Sequence, residues 1–226
     1  MRVFFHILRR ADGTGGQPVS AVARNMNALT ATYAPNQIYF QNLGYDEVRS
    51  DYYYGLTSST ADTAKYRALV TNIQRNYSAL NLYLLDDTSP YNPGRANGIP
   101  GSAVAIGGQV AGQFLVGSPV LAHEVGYCLG LFQPFENRAA PQNPNGTSNE
   151  LVNGTNCTTA GDYVCDTPAE SPAYNFKENA SCQFTVSFTN ANGQTYRPDV
   201  SSLPFSPYSR TSFRRTCAAP CASVST

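Results

Sequence analysis

His123 and Glu124 are adjacent in the stretch LAHEVGYCLGLFQ, Leu121 to Gln133. Two histidines four residues apart on a helix share one face and can reach one metal ion. A glutamate directly after the first is aimed at a metal-bound water and acts as its general base. A glycine then turns the chain, and a third ligand arrives from beyond it. Zinc held in this way lowers the pKa of its water to roughly 7. This sequence supplies His123, Glu124 and Gly130, but Tyr127 stands at the second ligand position and Gln133 at the third. Its histidines are His6 and His123 alone, so a three-histidine site is impossible by count. His6 lies in VFFHIL, where a packed or hydrogen-bonded strand histidine is the expected role. Cys128 is no substitute ligand. It sits about 140° round the helix from His123 and is expected in the core.

The elements that must position this helix read as alternating strands and helices. RVFFHILRR predicts a strand, and VSAVARNMNALTATY predicts a helix with Val19, Val22, Met26, Leu29 and Tyr33 on one face. QIYFQNL predicts a second strand. TADTAKYRALVTNIQRN predicts a second helix, and ALNLYLLDD a third strand. GIPGSAVAIGGQVAGQFLVG reads as an edge strand with glycine-rich turns. Ser118-Pro119 opens the His-Glu helix, and Gly130 fits its end. The order β-α-β-α-β-β predicts a layered α/β lobe over residues 1–130. From residue 131 to 226 the chain is rich in Asn, Pro, Gly and Thr, and an irregular lower lobe is expected.

Composition narrows the function classes. The chain has 226 residues, 42% of them hydrophobic, which is enough to bury a core. Its 15 basic and 15 acidic residues balance, without a basic block, so nucleic acid is not the expected partner. No apolar run approaches the ~20 residues that span a bilayer. Five of the six cysteines fall in the last third, a pattern of disulfides and an oxidising compartment. A secreted protein is expected, with a leader that this sequence does not show.

The stretches VFFHILRRADGTGG, LNLYLLDD, GIPGSA, LAHEVGYCLGLFQPFE, NGTNCTTAGDYVCDTPAESP and NGQTYRPDVSSLPFSPYSRTSF run in an order that resembles the pappalysin-type metzincins, secreted zinc endopeptidases. The resemblance implies a metzincin-like α/β (α+β) fold. Its upper lobe would be a twisted, mostly parallel five-stranded sheet backed by two long helices, the second carrying the active site. Its lower lobe would be irregular and tied by disulfides. An extended peptide would lie along the edge strand. By position, His123 matches the first zinc ligand, Tyr127 and Gln133 the substituted ligands, and Glu124 the general base. The resemblance pairs Cys157 with Cys182. It leaves Cys165 to Cys217, unless Cys221 bonds Cys217 and frees Cys165. Asp162 and Asp166 fall in a loop where some relatives bind calcium, an ion suited to carboxylates and carbonyls.

The chain departs from that family again at the methionine turn. SSLPFSPYS puts Pro204 at the methionine position and Ser206 at the place of the turn tyrosine, with Tyr208 two residues late. Changes at both missing ligands and at this turn fall on separate parts of one site. The expected protein is therefore a metallopeptidase scaffold impaired in zinc chemistry. The alternatives are an active peptidase with a variant site using Glu124, and a module that holds extended peptides without cutting them.

Overall fold

A computed structural model describes residues 1–56, 62–73, 75–86, 94–107, 109–110, 113–114, 119–133, 149–171 and 187–197. The chain divides into two compact units, Met1–Leu131 and Phe132–Thr226. Cys182, Pro204, Ser206, Tyr208, Cys217 and Cys221 lie outside the described residues.

The first unit is built on period-two strands. In β1 (Arg2–Arg9), Val3, Phe5 and Ile7 enter one apolar cluster, while Leu8 enters another. The strand β3 (Leu80–Leu84) sorts in the same way, Leu82 and Leu84 to one side and Tyr83 to the other. So does β5 (Ala103–Ile106), with Val104 and Ile106 opposite Ala103 and Ala105. Side chains alternate across a strand, so these two clusters are the two faces of one sheet. With β2 (Gln41–Arg49) and β4 (Gly94–Ala96) the sheet has five strands in the order β2-β1-β3-β5-β4. All neighbours are parallel except β4, which runs antiparallel to β5. The mostly parallel five-stranded sheet expected from the sequence is thus present.

The two long helices expected with it are not, because the helices are mostly short. The helices α1 (Ser20–Tyr33), α2 (Asp51–Tyr54), α3 (Thr63–Asn72) and α4 (Pro119–Cys128) have 14, 4, 10 and 10 residues. Residues of α1 and α4 fill the cluster on one face, and Tyr66, Leu69 and Val70 of α3 fill the other. The strands demand this arrangement. Every residue of β3 and β5 is buried, and a parallel strand buried on both sides needs cover on both.

Two strand boundaries also differ from the sequence reading. Gln37 takes a left-handed φ of 61° after α1, and Ile38 and Phe40 pack on the core as lead-in chain. Pairing with β1 starts only at Gln41. The expected edge strand in GIPGSAVAI is β5, which lies inside the sheet between β3 and β4. The edge on that side is β4, whose short sequence Gly-Arg-Ala carries no alternating apolar signal. Beyond β5, the short strands β6 (Gln109–Val110) and β7 (Gln113–Phe114) pair as a separate hairpin.

His6 has the packed strand role expected of it. It is fully buried, stacked on Tyr83 with ring centroids 4.5 Å apart. Nδ1 lies 2.7 Å from Asp46 Oδ1 on β2, and Nε2 lies 2.9 Å from Asn81 Oδ1 on β3.

In the second unit Cys157 is bonded to Cys165, with Cα atoms 5.0 Å apart. This corrects both expected pairings, Cys157–Cys182 and Cys165–Cys217. The loop between them doubles back through Gly161 and Tyr163, at φ 62° and 64°, and so brings near neighbours in sequence together. Backbone at positive φ is costly for a residue with a Cβ, which is why the turn includes a glycine.

Candidate functional site

The helix α4 carries the site because one face is apolar. Leu121, Ala122, Val125 and Cys128 are buried in the core. Tyr33 of α1 fixes the helix further, its hydroxyl donating to the Ala122 carbonyl at 2.7 Å. Gly130 ends the helix at φ 96°, and the Leu131 N–H reaches back to the Gly126 carbonyl at 3.0 Å. Burial pushes the Cys128 thiol up to about 12, with the Glu124 carboxylate as the second cause. That thiol stays protonated at neutral pH, and its Sγ lies 3.6 Å from the Ala103 carbonyl.

His123 and Tyr127 project from one face, as spacing of four predicts. A hydrogen bond joins His123 Nε2 to Tyr127 Oη at 2.8 Å, and the rings meet edge to face. If the imidazole is neutral at Nε2, the phenol donates to its lone pair. If Nε2 carries the hydrogen, it has no lone pair to offer. In either tautomer this nitrogen has nothing left for a cation while the bond is made. Gln133 is half-buried in the second unit. Among the described residues, no group of three or more His, Cys, Asp or Glu side chains converges to hold a metal.

Glu124 is buried and bound to the sheet edge. Its Oε2 accepts from the Ala96 N–H at 2.8 Å. The next amide, Asn97 N–H, donates to the Ala103 carbonyl. Amides alternate direction along an antiparallel pair, so Ala96 N–H points off the sheet edge. There it meets the carboxylate. Gly94 permits this close approach of β4 to α4. A Cβ at that position would lie 2.8 Å from Val120 Cγ1 and 2.9 Å from Glu124 Cγ. Sequence reading singled out Glu124 but missed Ala96 and Gly94, because nothing in NPGRANG marks an edge strand.

In the second unit Asp162 is buried, and both its oxygens accept hydrogen bonds. Oδ1 takes the Val164 N–H at 3.0 Å, and Oδ2 takes the Thr167 hydroxyl at 2.7 Å. Asp166 is exposed. The residue that sequence reading missed is Glu150. It is buried, and its Oε2 has no hydrogen-bond partner among the described residues. A Cβ on Gly161 would lie 2.4 Å from that oxygen, so the glycine makes room for the carboxyl. Burial, and secondarily the Asp162 carboxylate, raise the Glu150 pKa to about 7.

A pH dependence follows from Glu150. Its pKa is raised on folding, so the fold favours the protonated form. The stability this contributes is present below the ordinary carboxylate range and is lost as pH rises through about 7. In chelator-treated buffer, urea melts should show stability falling from pH 5 to 8, with a slope of at most about 1.4 kcal/mol per pH unit from this group. Glu150→Gln should flatten that slope. An unchanged slope in the variant would remove Glu150 as its source.

No protein-family model matches the chain. Over 188 residues it is 28% identical to the extracellular metalloprotease of Colletotrichum graminicola, a match spanning 76% of this chain and 58% of that protein. Over 189 residues it is 26% identical to the extracellular metalloprotease of Sordaria macrospora, again 76% of this chain and 58% of the other. The chain therefore spans less than two thirds of the length of these relatives. It is distantly related to fungal extracellular metalloproteases.

Proposed function

We propose that this chain is a secreted metallopeptidase scaffold of the pappalysin-type metzincin kind in which zinc-dependent peptide cleavage is lost or severely weakened. What carries the reading is the hydrogen bond between His123 Nε2 and Tyr127 Oη, which uses the one histidine nitrogen a shared metal would need. The distant relation to extracellular metalloproteases supports the scaffold, a peptide as its ligand and the extracellular setting. Glu124 keeps the general-base position, but its carboxylate is held by the Ala96 amide. Zinc would fall to His123, Tyr127 and Gln133. A phenol with an ordinary pKa of ~10 and a neutral amide are poor donors at neutral pH.

The test is metal analysis of the purified protein beside a casein cleavage assay. The expected result is substoichiometric zinc and intact casein. Stoichiometric zinc with cleavage abolished by Glu124→Gln would overturn the reading. Calcium belongs to the same proposal at Asp162 and Asp166, completed by backbone carbonyls. Millimolar calcium should then raise the urea midpoint at pH 7.

A further inference from the structure

Three Asn-x-Ser/Thr acceptor tripeptides lie among the described residues: Asn76-Tyr77-Ser78, Asn153-Gly154-Thr155 and Asn156-Cys157-Thr158. In a secreted protein such a tripeptide can take an N-linked oligosaccharide. The structure separates the three by what each asparagine amide is doing.

Asn76 and Asn153 hold the same conformation. Asn76 Oδ1 accepts from the Ser78 N–H at 3.0 Å and the Ser78 hydroxyl at 2.8 Å. Asn153 Oδ1 accepts from the Thr155 N–H at 3.2 Å and the Thr155 hydroxyl at 2.9 Å. In each, the amide oxygen is turned inward on its own turn, and Nδ2 has no partner among the described residues. Both turns stand at the surface. Asn153 is exposed, and Tyr77 beside Asn76 is 86% exposed. The turn at Asn76 is also pinned from below, its N–H and carbonyl both bonded to the Asn81 side chain.

Asn156 differs at every point. Its Nδ2 donates to the Asn149 carbonyl at 3.0 Å, and its Oδ1 accepts from the Leu151 N–H at 2.7 Å. The middle residue of its tripeptide is Cys157, buried and locked to Cys165. Both ends of this amide are spent inside the loop.

We infer that Asn76 and Asn153 carry N-linked glycans and that Asn156 does not. The step replaces one Nδ2 hydrogen with the anomeric carbon of an oligosaccharide supplied as a polyprenyl diphosphate. A C–N bond forms, the C–O bond to the diphosphate breaks, the proton goes to solvent, and nothing is oxidised or reduced. The inference rests on the secreted setting proposed above.

The test supplies that setting, so the acceptor sites are judged apart from the natural address of the protein. The full chain is expressed behind a secretion leader in a eukaryotic host. The secreted product is treated with peptide N-glycosidase in ¹⁸O-water, which converts each glycan-bearing Asn to labelled Asp. Peptide mapping should find label at positions 76 and 153 and none at 156. Ser78→Ala and Thr155→Ala should each remove one glycan from the gel mobility. Label at position 156, or its absence from 76 or 153, overturns the inference.

Discussion

The Tyr127→His, Gln133→His protein should bind zinc at least about 100-fold more tightly than the wild type, since lost ligand-sphere groups typically cost ~10–100-fold each. The first substitution acts twice. It removes the phenol that occupies His123 Nε2 at 2.8 Å, and it places an imidazole one turn along the same face. The second supplies a donor beyond Gly130, whose φ of 96° turns the chain out of the helix. Equilibrium dialysis against a zinc buffer reads the affinity directly. Tyr127→Phe separates the two effects of the first change. It frees Nε2 without adding a donor, so it should leave zinc binding weak. Casein cleavage should recover less than zinc does, because Pro204 and the late Tyr208 remain at the turn that follows in sequence. If the double variant binds no more zinc than the wild type, α4 is not set for metal and the scaffold reading fails.

Most of the first unit was legible because burial left a periodic trace. Val3, Phe5 and Ile7 announce β1, and the run Leu80–Leu84 announces a strand covered on both faces. The site helix was legible from Pro119 and Gly130, which stand at its two ends, while Ser118 lies outside the described residues. What escaped had no such trace. β4 is three residues long, and the structure makes it an edge through pairing with β5, not through composition. The hydroxyl on His123 Nε2 was missed because a tyrosine at spacing four was read only as a failed ligand, though the same spacing lets it bond the histidine. The disulfide was assigned by resemblance, and the local fold of the loop overrode it. Glu150 lies in polar, loop-like sequence, where an acid is ordinarily solvated, so its burial left no sign.

Asn81 is the sharpest case of a residue that sequence undervalues, and its loss should be the costliest single change in the first unit outside the apolar core. It interrupts an apolar run, yet it is fully buried. Its Nδ2 faces the carbonyls of Asn76, Ala79 and Ser102 at 3.0, 3.0 and 3.4 Å. Turning the amide over would set its oxygen against three acceptors, so its orientation is fixed. Its Oδ1 therefore accepts, from the Asn76 N–H at 2.8 Å and from His6 Nε2 at 2.9 Å. His6 then holds a hydrogen at Nε2, while its Nδ1 lies 2.7 Å from Asp46 Oδ1. One asparagine thus orients a histidine that joins three strands. Asn81→Leu keeps the volume but strands two donors, at about 1–3 kcal/mol each. The expected loss is about 2–6 kcal/mol, a large share of a typical 5–15 kcal/mol. Urea unfolding should show a lower midpoint with an unchanged m value. The double variant His6→Phe, Asn81→Leu should regain part of the loss, because it removes a stranded donor and leaves Asp46, whose side chain is 30% exposed, to water. A single-variant loss under about 1 kcal/mol would mean that neither donor depends on Asn81. A double variant weaker than the single would show that the histidine contributes through its stacking on Tyr83 and not through this network.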